Sequence, residues 1–412
     1  MASSCYDCLI IGAGPAGTAA GILLAQSGLS VLLVEKRSFP RFHIGESLIP
    51  AVNHMLKRLD VWDRMDDAGF LRKYGAEFCY GSGEARVHNI FANGLIPGYE
   101  YTYEVERSRF DELLLNRAGE VGCEIRQPVT VKELTEVDAG WRVTLGGGEA
   151  VNARWLFDAT GRSGLLPRHL GIKSDGFDLP RRFAVFNHFR GVKRRTGREM
   201  GNIIIVRVPS GWFWSIPLDD ERTSVGLVTT SNEERQRPRA IFEANVAENP
   251  FMRDWMSEAE PIEEFHVEAD YSYCNQQFAG RNWFLLGDAA GFIDPVFSSG
   301  IYLAMESANL AEKLLSGKAC QRGFLTAKEQ RFYESSLRES MGVMLQLVTL
   351  FYDRQGFSVF MQPSDKFQLF SAINSIVAGH TKRDFSVRWR FALFRAICRL
   401  NRYHTVSPTV EL

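Results

Sequence analysis

The feature that most constrains the fold of this chain is a glycine-rich turn near its N-terminus, between a short apolar strand and a helix. The strand is the run 9–11, and the turn has the spacing GxGxxG. The residues of the motif are Gly12, Gly14, Ala16 and Gly17. In such a turn the first glycine makes a sharp bend, the second lets the backbone approach a pyrophosphate, and the third lets helix and strand pack closely. Free N–H groups at the helix N-terminus favour phosphate. We therefore predict a dinucleotide-binding unit whose helix, over 18–27, ends at Gly28.

A second predicted strand, over 30–34, ends in Glu35. This acid lies about 20 residues beyond the turn, where an acidic side chain hydrogen-bonds a ribose hydroxyl of a bound dinucleotide. A phosphorylated ribose would favour an arginine at the same place. The order of strand, turn, helix, strand and acid thus predicts a dinucleotide without a ribose phosphate.

Composition excludes several classes of protein. The chain has 412 residues, which is enough for a large core and two or three domains. Its net charge of -1 provides no field that would attract nucleic acid. With no apolar run of about 20 residues and no basic leader, we predict neither membrane contact nor a signal peptide. The seven cysteines are scattered, as is typical of a cytoplasmic protein. The CxxC of Cys5 and Cys8 has no second pair, so we predict no metal site.

A polar cluster follows the second strand. Its members are Arg41, His43, Glu46 and Ser47. Beside a dinucleotide site such donors and acceptors suit the polar edge of a cofactor, and a solvated surface is the alternative. Ser47 is also a candidate N-cap for the leucine-rich helix that follows. Arg107, just before a second candidate N-cap at Ser108, is either a cofactor ligand or an ordinary surface arginine.

Two later strands end in small-residue turns that would let a backbone lie against a nucleotide. The first turn begins at Asp158, and the second contains Gly287 and Asp288. Between them, residues 183–230 are typical of an antiparallel meander. A helix over 301–316 follows the second turn, and the remaining chain is predicted to be helical.

We therefore predict a mixed α/β fold with three regions. These are a discontinuous Rossmann-like nucleotide-binding domain, an antiparallel-sheet domain that covers the substrate, and a C-terminal helical region. The first comprises residues 1–80, 100–165 and 275–317, the second 81–99 and 166–274, and the third 318–412.

Together, the glycine motif, the Asp158 turn and the Gly287 turn resemble the glutathione-reductase-type FAD fold of flavin monooxygenases. This resemblance implies that FAD is the dinucleotide, that the Asp158 turn lies beside it, and that Asp288 holds its ribityl chain. It also implies that the helix over 301–316 directs its N-terminus at the pyrimidine edge of the flavin, where reduced flavin is negatively charged.

A second motif, WxWxIP, narrows the resemblance to the FAD-dependent halogenases. Its residues are Trp212, Trp214 and Ile216, which share one face if the segment is a strand. The resemblance implies a bulky barrier that separates the flavin from the organic substrate. Aromatic residues at period two are otherwise ordinary core residues, which is the alternative interpretation.

The same resemblance implies a catalytic role for Lys73, in the sequence Arg-Lys-Tyr-Gly. In these halogenases FADH2, oxygen and chloride or bromide give hypohalous acid, which travels to a lysine. Lys73 would either hydrogen-bond this acid or form a haloamine, and a depressed pKa would favour the second. The halide would bind the backbone N–H groups of Ser299 and Gly300. Because the chain has no second GxGxxG, a separate flavin reductase would supply FADH2.

One departure from the family bears on the substrate. Halogenases of free tryptophan carry a glutamate in the turn before the helix, and here Phe297 occupies that position. The sequence Phe-Ser-Ser-Gly resembles halogenases of phenols and of carrier-tethered pyrroles, whose activated rings depend less on a base. His188 and Glu77 are weak candidates for that base.

Two questions stay open at this point. A basic stripe near the C-terminus lies on an amphipathic helix that docks on the core or meets an acidic carrier protein or membrane headgroups. The stripe consists of Arg388, Arg395, Arg399 and Arg402. The alternative functions are a monooxygenase or reductase of a hydrophobic substrate, and a non-catalytic flavoprotein.

Overall fold

The computed structural model describes residues 5–83, 85–177, 179–230, 237–269, 272–382 and 384–411. The strands in these ranges are β1 (Cys5–Ile11), β2 (Val31–Val34), β3 (Leu71–Lys73), β4 (Gly75–Tyr80), β5 (Arg86–Ile90), β6 (Thr102–Glu104), β7 (Glu124–Arg126), β8 (Val131–Val137), β9 (Gly140–Leu145), β10 (Ala150–Asp158), β11 (Ser174–Gly176), β12 (Phe183–Arg190), β13 (Ile203–Val208), β14 (Gly211–Pro217), β15 (Thr223–Thr229), β16 (Glu260–Pro261), β17 (His266–Ala269), β18 (Tyr273–Asn275), β19 (Trp283–Leu285) and β20 (Gly291–Phe292). The α-helices are α1 (Pro15–Gln26), α2 (Asn53–Arg58), α3 (Trp62–Asp67), α4 (Arg107–Glu120), α5 (Leu165–Leu170), α6 (Pro238–Glu248), α7 (Pro250–Trp255), α8 (Gly300–Leu315), α9 (Lys318–Arg322), α10 (Ala327–Tyr352), α11 (Arg354–Phe360), α12 (Leu369–Val377) and α13 (Phe385–Leu400).

The first sheet contains the predicted nucleotide-binding unit. Its strand order is β7-β2-β1-β10-β9-β8, and β19 also pairs with β10. Strands β2, β1, β10 and β19 are parallel, whereas β8 and β9 form an antiparallel hairpin at one edge. Helix α1 connects β1 to β2 and packs against α8. The predicted mixed α/β fold with a Rossmann-like unit is confirmed.

Helix α1 begins and ends for local chemical reasons. Gly14 is its extended N-cap and Pro15 its first residue, where the missing N–H of proline costs nothing. Ser27 is the C-cap, and Gly28 follows with a φ of 83°. Glycine adopts this left-handed conformation without strain, so the predicted end at Gly28 is confirmed.

The second sheet is mostly antiparallel and has the order β16-β12-β15-β14-β13-β4-β5, with β17 also paired to β12. Its central strands form the meander predicted for 183–230. Strand β4 pairs in parallel with β13. Residues 75–80, which were predicted to belong to the nucleotide-binding domain, therefore lie in the second sheet. Their backbone pairing with β13, which is distant in sequence, determines this placement.

The two faces of this sheet contact different cores. Trp212, Trp214 and Ile216 belong to the large core that the first sheet and the C-terminal helices share. Phe213 points to a smaller core that α6 and α7 cover with Phe242 and other apolar side chains. The predicted alternation of β14 is thus observed, and the tryptophans face the nucleotide-binding side.

The C-terminal region is helical, as expected for this part of the chain. Helix α13 buries an apolar stripe against its neighbours, which confirms the predicted amphipathic docking helix. The buried side chains are Val387, Phe391, Phe394 and Cys398. Part of the basic stripe faces nearby acids, because Arg388 pairs with Glu339 and Arg402 with Asp353. None of the helices in the described ranges is long and apolar enough to cross a membrane.

Both predicted N-caps are wrong. Ser47 forms an antiparallel bridge with Glu104, and the following helical segment begins only at Pro50. Helix α4 begins at Arg107 with Glu106 as its N-cap residue, so Ser108 lies within the first turn, where its hydroxyl donates to the Glu106 carboxylate. At Ser47, pairing with a distant segment overrides the local capping preference of serine.

Candidate active site

Three turns and two helix N-termini converge above the carboxyl ends of the parallel strands. A Cβ atom added to Gly12 would lie 2.3 Å from the Ala159 carbonyl oxygen, and one added to Gly17 would lie 1.9 Å from the Gly12 oxygen. A Cβ on Gly287 would lie 3.3 Å from the Cβ of Ala16. The three glycine-containing motifs predicted from the sequence are therefore in contact with one another.

Glu35 lies at the end of β2, as predicted, and fixes the first turn. Its carboxylate accepts hydrogen bonds from the backbone N–H groups of Ala13 and Arg37, both at 2.9 Å. Because Ala13 lies within the glycine motif, this acid connects the tip of the second strand directly to the turn.

Arg41 lies over the glycine turn and has an unused donor. A Cβ on Gly14 would have Arg41 Nη2 as its neighbour, at 3.6 Å. Arg41 Nη1 lies 3.3 Å from the Asp111 carboxylate, yet this buried nitrogen donates no hydrogen bond within the described part of the chain. The guanidinium is thus anchored through Nη1 and presents Nη2 beside an uncovered backbone turn, an arrangement that fits the pyrophosphate of a dinucleotide.

Arg107 lies beneath the same cleft. It forms a two-pronged pair with Asp111, at 2.8 and 3.0 Å, and donates to the Ile44 carbonyl oxygen at 2.7 Å. Burial raises the pKa of Asp288 to about 6, against the opposing charges of Arg107 and Arg162. Asp288 is thus a carboxyl group near cations at the cleft, which fits a hydroxyl-rich chain.

His43 belongs to the same rim. Desolvation, reinforced by the charge of Arg107, lowers the pKa of His43 to about 4, and its Nδ1 lies 2.7 Å from the Ile44 carbonyl oxygen. The ring is therefore neutral, with Nδ1 as donor and Nε2 left as an acceptor.

Three predicted cofactor contacts have other partners. Both carboxylate oxygens of Asp158 accept from backbone amides of its own turn, those of Thr160 and Leu166. Glu46 is paired with His188 at 2.8 Å. Ser47 accepts from Lys73. The side chains of these residues thus bind neighbouring groups of the protein, while Glu46 Oε2 is buried without a partner among the described residues.

Lys73 is fully enclosed, with only 1% of its surface exposed. Its Nζ donates to the Ser47 hydroxyl at 2.6 Å and to the Leu48 carbonyl oxygen at 2.9 Å, and lies 5.6 Å from the centre of the Phe91 ring. Burial lowers the pKa of Lys73, and the charge of Glu104 partly opposes this change. The amine of Lys73 is therefore desolvated and is held by two neighbouring acceptors.

Glu104 is a residue that the sequence analysis missed. Its Oε1 lies 3.8 Å from Lys73 Nζ, and both side chains are buried. Burial raises the pKa of Glu104 to about 8, although the charge of Lys73 lowers it. The available signal was weak, because Glu104 lies in the short segment Tyr-Glu-Val-Glu before a helix, and nothing local predicts its pairing with β3.

The Lys73 chamber is a small apolar cavity of about 10 Å³ between the second sheet and the start of α8. Its lining residues are Ile49, Lys73, Ala76, Phe78, Phe91, Ile203, Ile205, Val296, Phe297, Ser298 and Val377. The segment 296–298 leads directly to Ser299, the N-cap of α8. Within the described residues, the backbone amides of Ser299 and Gly300 donate no hydrogen bond. One chamber therefore reaches both Lys73 and the turn before an uncapped helix N-terminus.

The two tryptophans of β14 lie on the same sheet face as this chamber. Their ring centres are 5.8 Å apart. Trp214 stands directly opposite Gly226 on β15, and a Cβ on Gly226 would lie 2.3 Å from the Trp214 ring. Only glycine leaves room for that ring, so this glycine is part of the tryptophan wall although the sequence motif does not include it.

Trp212 connects the wall to the turn before α8. Its indole N–H donates to the Tyr352 hydroxyl at 2.8 Å, and that hydroxyl donates to Asp294 at 2.7 Å. Asp294 in turn accepts from the Val296 amide at 3.1 Å. The wall, helix α10 and the lining of the Lys73 chamber thus form one hydrogen-bonded unit.

Neither predicted base reaches the chamber. Glu77 lies between Ala76 and Phe78 on β4, so its side chain points to the opposite sheet face, where it binds Arg195 at 2.6 Å. His188 is held by Glu46, whose hydrogen bond and charge outweigh burial and raise the pKa of His188.

No group of three or more His, Cys, Asp or Glu side chains that could hold a metal ion occurs in the described ranges. The donor set suits FAD instead: a backbone turn, an unused arginine donor, a carboxyl group near cations and a helix N-terminus.

The sequence family of FAD binding domains matches residues 5–334. The chain is 34% identical over 315 residues to a tryptophan 2-halogenase of Chondromyces crocatus, an alignment that covers 74% of this chain and 59% of that protein. It is 33% identical over 311 residues to a 1H-pyrrole-2-carbonyl-(peptidyl-carrier protein) brominase of Pseudoalteromonas luteoviolacea (strain 2ta16), which covers 73% of this chain and 75% of that protein.

Solved structures resemble the whole chain. The flavin-dependent brominase Bmp2 superposes with a TM-score of 0.84 at 28% identity, over 97% of this chain and 100% of that one. A flavoprotein/dehydrogenase from Cytophaga hutchinsonii superposes with a TM-score of 0.87 at 28% identity, over 97% and 99%. From its FAD binding domain and these relatives, the chain belongs to the FAD-dependent halogenases, with FAD as its cofactor.

Proposed function

We propose that this enzyme halogenates an electron-rich aromatic ring, a phenol or a pyrrole, with FADH2, oxygen and chloride or bromide, and that Lys73 directs hypohalous acid to the ring. The observation that carries the proposal is the Lys73 chamber. Its lining includes both Lys73, which is buried and hydrogen-bonded to Ser47, and the turn that precedes α8. Oxidant made at one end would thus meet the amine at the other.

The cofactor would lie in the cleft above the first sheet. Gly12, Gly14 and Gly17 would receive its pyrophosphate with Arg41, Glu35 its ribose, and Asp288 its ribityl chain. FAD supplies the reducing equivalents that activate oxygen. The remaining chemistry is performed by residues of this chain.

The halide would bind the free amides of Ser299 and Gly300. An uncapped N-terminus of a 16-residue helix attracts an anion through its dipole and its unpaired donors. The neighbouring Ser298 lines the Lys73 chamber. Hypohalous acid released at these amides would therefore enter the chamber directly.

Trp212, Trp214 and Ile216 would keep the organic substrate away from the flavin. Their rigidity supports this role: Gly226 accommodates the Trp214 ring, and Tyr352 holds the Trp212 indole. A wall that moved freely would not separate the two halves of the reaction.

The substrate must enlarge the chamber when it binds. About 10 Å³ corresponds to one water-sized sphere and is far less than an aromatic ring occupies. Phe91 and Val377 line the chamber from short segments outside the second sheet, so we infer that their displacement admits the ring.

Phe297 supports an activated ring as substrate. It is buried against the rings of Phe78, Phe351 and Phe360, so an apolar ring fills the position at which halogenases of free tryptophan carry a glutamate. Phenols and pyrroles lose the ring proton readily and need less help from a base. Because one relative acts on a carrier-bound pyrrole, we propose a carrier protein as a second partner, beside a separate flavin reductase.

A monooxygenase or reductase acting on a hydrophobic substrate is the second candidate. The superposition with a flavoprotein/dehydrogenase and the apolar lining of the chamber favour it. It predicts hydroxylated or saturated product and no dependence on halide.

The test is a reaction of purified protein with chemically reduced FAD, oxygen, bromide and a simple phenol, analysed by mass spectrometry. We expect brominated phenol that depends on enzyme, oxygen and bromide. Catalase and a scavenger of free hypobromous acid serve as controls for bromination in bulk solution. Hydroxylated phenol formed equally with and without bromide would contradict the proposal and support the alternative.

A further inference from the structure

We propose that Glu104 is the proton partner of Lys73, which takes the ammonium proton and returns it to the oxygen released from hypohalous acid. This inference rests on the proposed halogenation. It supplies from strand β6 a carboxylate that is missing at the position of Phe297.

The sheet register brings the two side chains together. β3 and β6 are antiparallel, with Lys73 opposite Thr102 and Leu71 opposite Glu104. Residues opposite each other, and those two positions along, share one face of the pair, so Lys73 and Glu104 are diagonal neighbours. The bridge between Ser47 and Glu104 adds Ser47 to the same group. Three separate segments thus converge on one buried amine.

The hydrogen bonds of Lys73 leave one position of its nitrogen free. Nζ donates to the Ser47 hydroxyl at 2.6 Å and to the Leu48 carbonyl at 2.9 Å. An ammonium has three N–H bonds, so one remains, and in the neutral amine that position is a lone pair. Glu104 Oε1 lies 3.8 Å from the nitrogen, and among the described residues it forms the ion pair of Lys73.

Electrostatics make the proton mobile between the two groups. Burial favours the neutral form of each, and their mutual charge favours the ion pair. The other titratable group that affects the pKa of Glu104 is Glu46, whose charge raises it and which is itself paired with His188. Ser47, Thr102 and the Phe91 ring, the other neighbours, carry no charge.

The proposed step balances. Glu104 takes one proton from the Lys73 ammonium, and the neutral nitrogen attacks the halogen of hypohalous acid. The N–halogen bond forms, the halogen–oxygen bond breaks, and the departing hydroxide takes the proton from Glu104 to become water. The halogenated ammonium then gives a proton to the Glu104 carboxylate. Ammonium, carboxylate and hypohalous acid thus become haloamine, carboxylic acid and water.

Transfer to the ring restores the pair. The halogen passes from Nζ to a ring carbon, the ring proton goes to the nitrogen, and Glu104 returns its proton to the amine. The oxidant throughout is hypohalous acid.

The test compares Glu104→Gln with wild type in the bromination assay, as a function of pH. The wild-type bromination rate should rise with pH as Glu104 ionises, because burial raises the pKa of its carboxyl group to about 8. In Glu104→Gln that rise should disappear, and the bromination rate should fall at least about 10-fold. This minimum is set lower than the roughly 100-fold or greater loss that is usual when a proton-transfer group is removed. Oxidation of FADH2 should continue, and escape of free hypobromous acid into a scavenger should increase.

Two further variants separate chemistry from packing. Thr102→Val changes a buried neighbour on the same strand face and should leave the pH profile unchanged. Glu104→Asp keeps the charge and should restore part of the pH-dependent rise. Bound FAD, measured by absorbance, checks that each variant is folded.

Two results would overturn the inference. The first is a Glu104→Gln enzyme whose bromination rate and pH profile match those of wild type. The second, which applies if that variant does not fold, is a wild-type bromination rate that does not rise between about pH 6 and about pH 10. Absence of any brominated product from wild type would instead refute the proposed function, so the two failures are distinguishable.

Discussion

The cleft above the first sheet, where we propose that FAD binds, and the Lys73 chamber are built in opposite ways. The cleft is lined by backbone turns, and its glycines are required because their Cβ positions are already filled by main-chain atoms, such as the Gly12 oxygen 1.9 Å from a Cβ on Gly17. The chamber is small, apolar and lined by side chains from many separate segments. Its one cation depends on Ser47, Leu48 and Glu104 for its position.

The difference teaches how each half of the enzyme can vary. A site made of backbone depends on a short local sequence, so the cofactor cleft tolerates few changes at its turns. A chamber made of side chains can change shape through single substitutions. We infer that substrate choice within this fold is determined by the chamber lining, while the oxidant-forming half is retained.

The largest effect that tests this comparison is expected for Gly17→Val. The new side chain would overlap the Gly12 carbonyl oxygen, and overpacking by about 3 kcal/mol corresponds to FAD affinity at least about 100-fold lower. FAD retained after gel filtration, measured by absorbance, checks this.

Gly342→Ala is the matched control, because no heavy atom lies within 4 Å of the added Cβ. It should bind FAD like wild type. Normal FAD binding by Gly17→Val would mean that the turn is not the cofactor site.

A smaller effect is expected for Arg41→Ala, which removes the guanidinium whose Nη2 lies beside Gly14. Loss of a charged hydrogen bond of about 1.5–3 kcal/mol predicts an FAD dissociation constant about 10- to 150-fold higher, measured by fluorescence titration. Because Arg41 does not line the chamber, saturating FAD should restore bromination to near the wild-type rate.

Arg37→Ala, at an exposed neighbouring position, should leave the affinity unchanged. A bromination rate that stays low for Arg41→Ala at saturating FAD would show that cleft and chamber are not separable in the way described.

The same contrast explains which features were predictable from sequence. Gly12, Gly14, Gly17 and Glu35 act through the local backbone, and their spacing alone predicted a turn that the structure contains. The strand period also placed Trp212 and the other wall residues on one face.

Residues that act across the fold were not predictable in this way. Glu104 meets Lys73 only through the pairing of β3 with β6, and Gly226 meets Trp214 only through the register of β14 with β15. Glu77 failed as a candidate base because strand alternation turns it away from the chamber. Ser47 is a residue type that favours N-caps, but its bridge to Glu104 places its hydroxyl where it accepts a hydrogen bond from Lys73.

The central claim, that Lys73 acts after the oxidant is formed and beyond the tryptophan wall, is tested most directly by Lys73→Met. Arg72→Met is the matched control, since Arg72 is the neighbouring residue and pairs with Asp66 on the other strand face. FADH2 oxidation and brominated phenol are measured in the same reaction. The account predicts near wild-type FADH2 oxidation with bromination reduced at least about 100-fold in Lys73→Met, and little change in Arg72→Met. Bromination by Lys73→Met within a few-fold of wild type would contradict it.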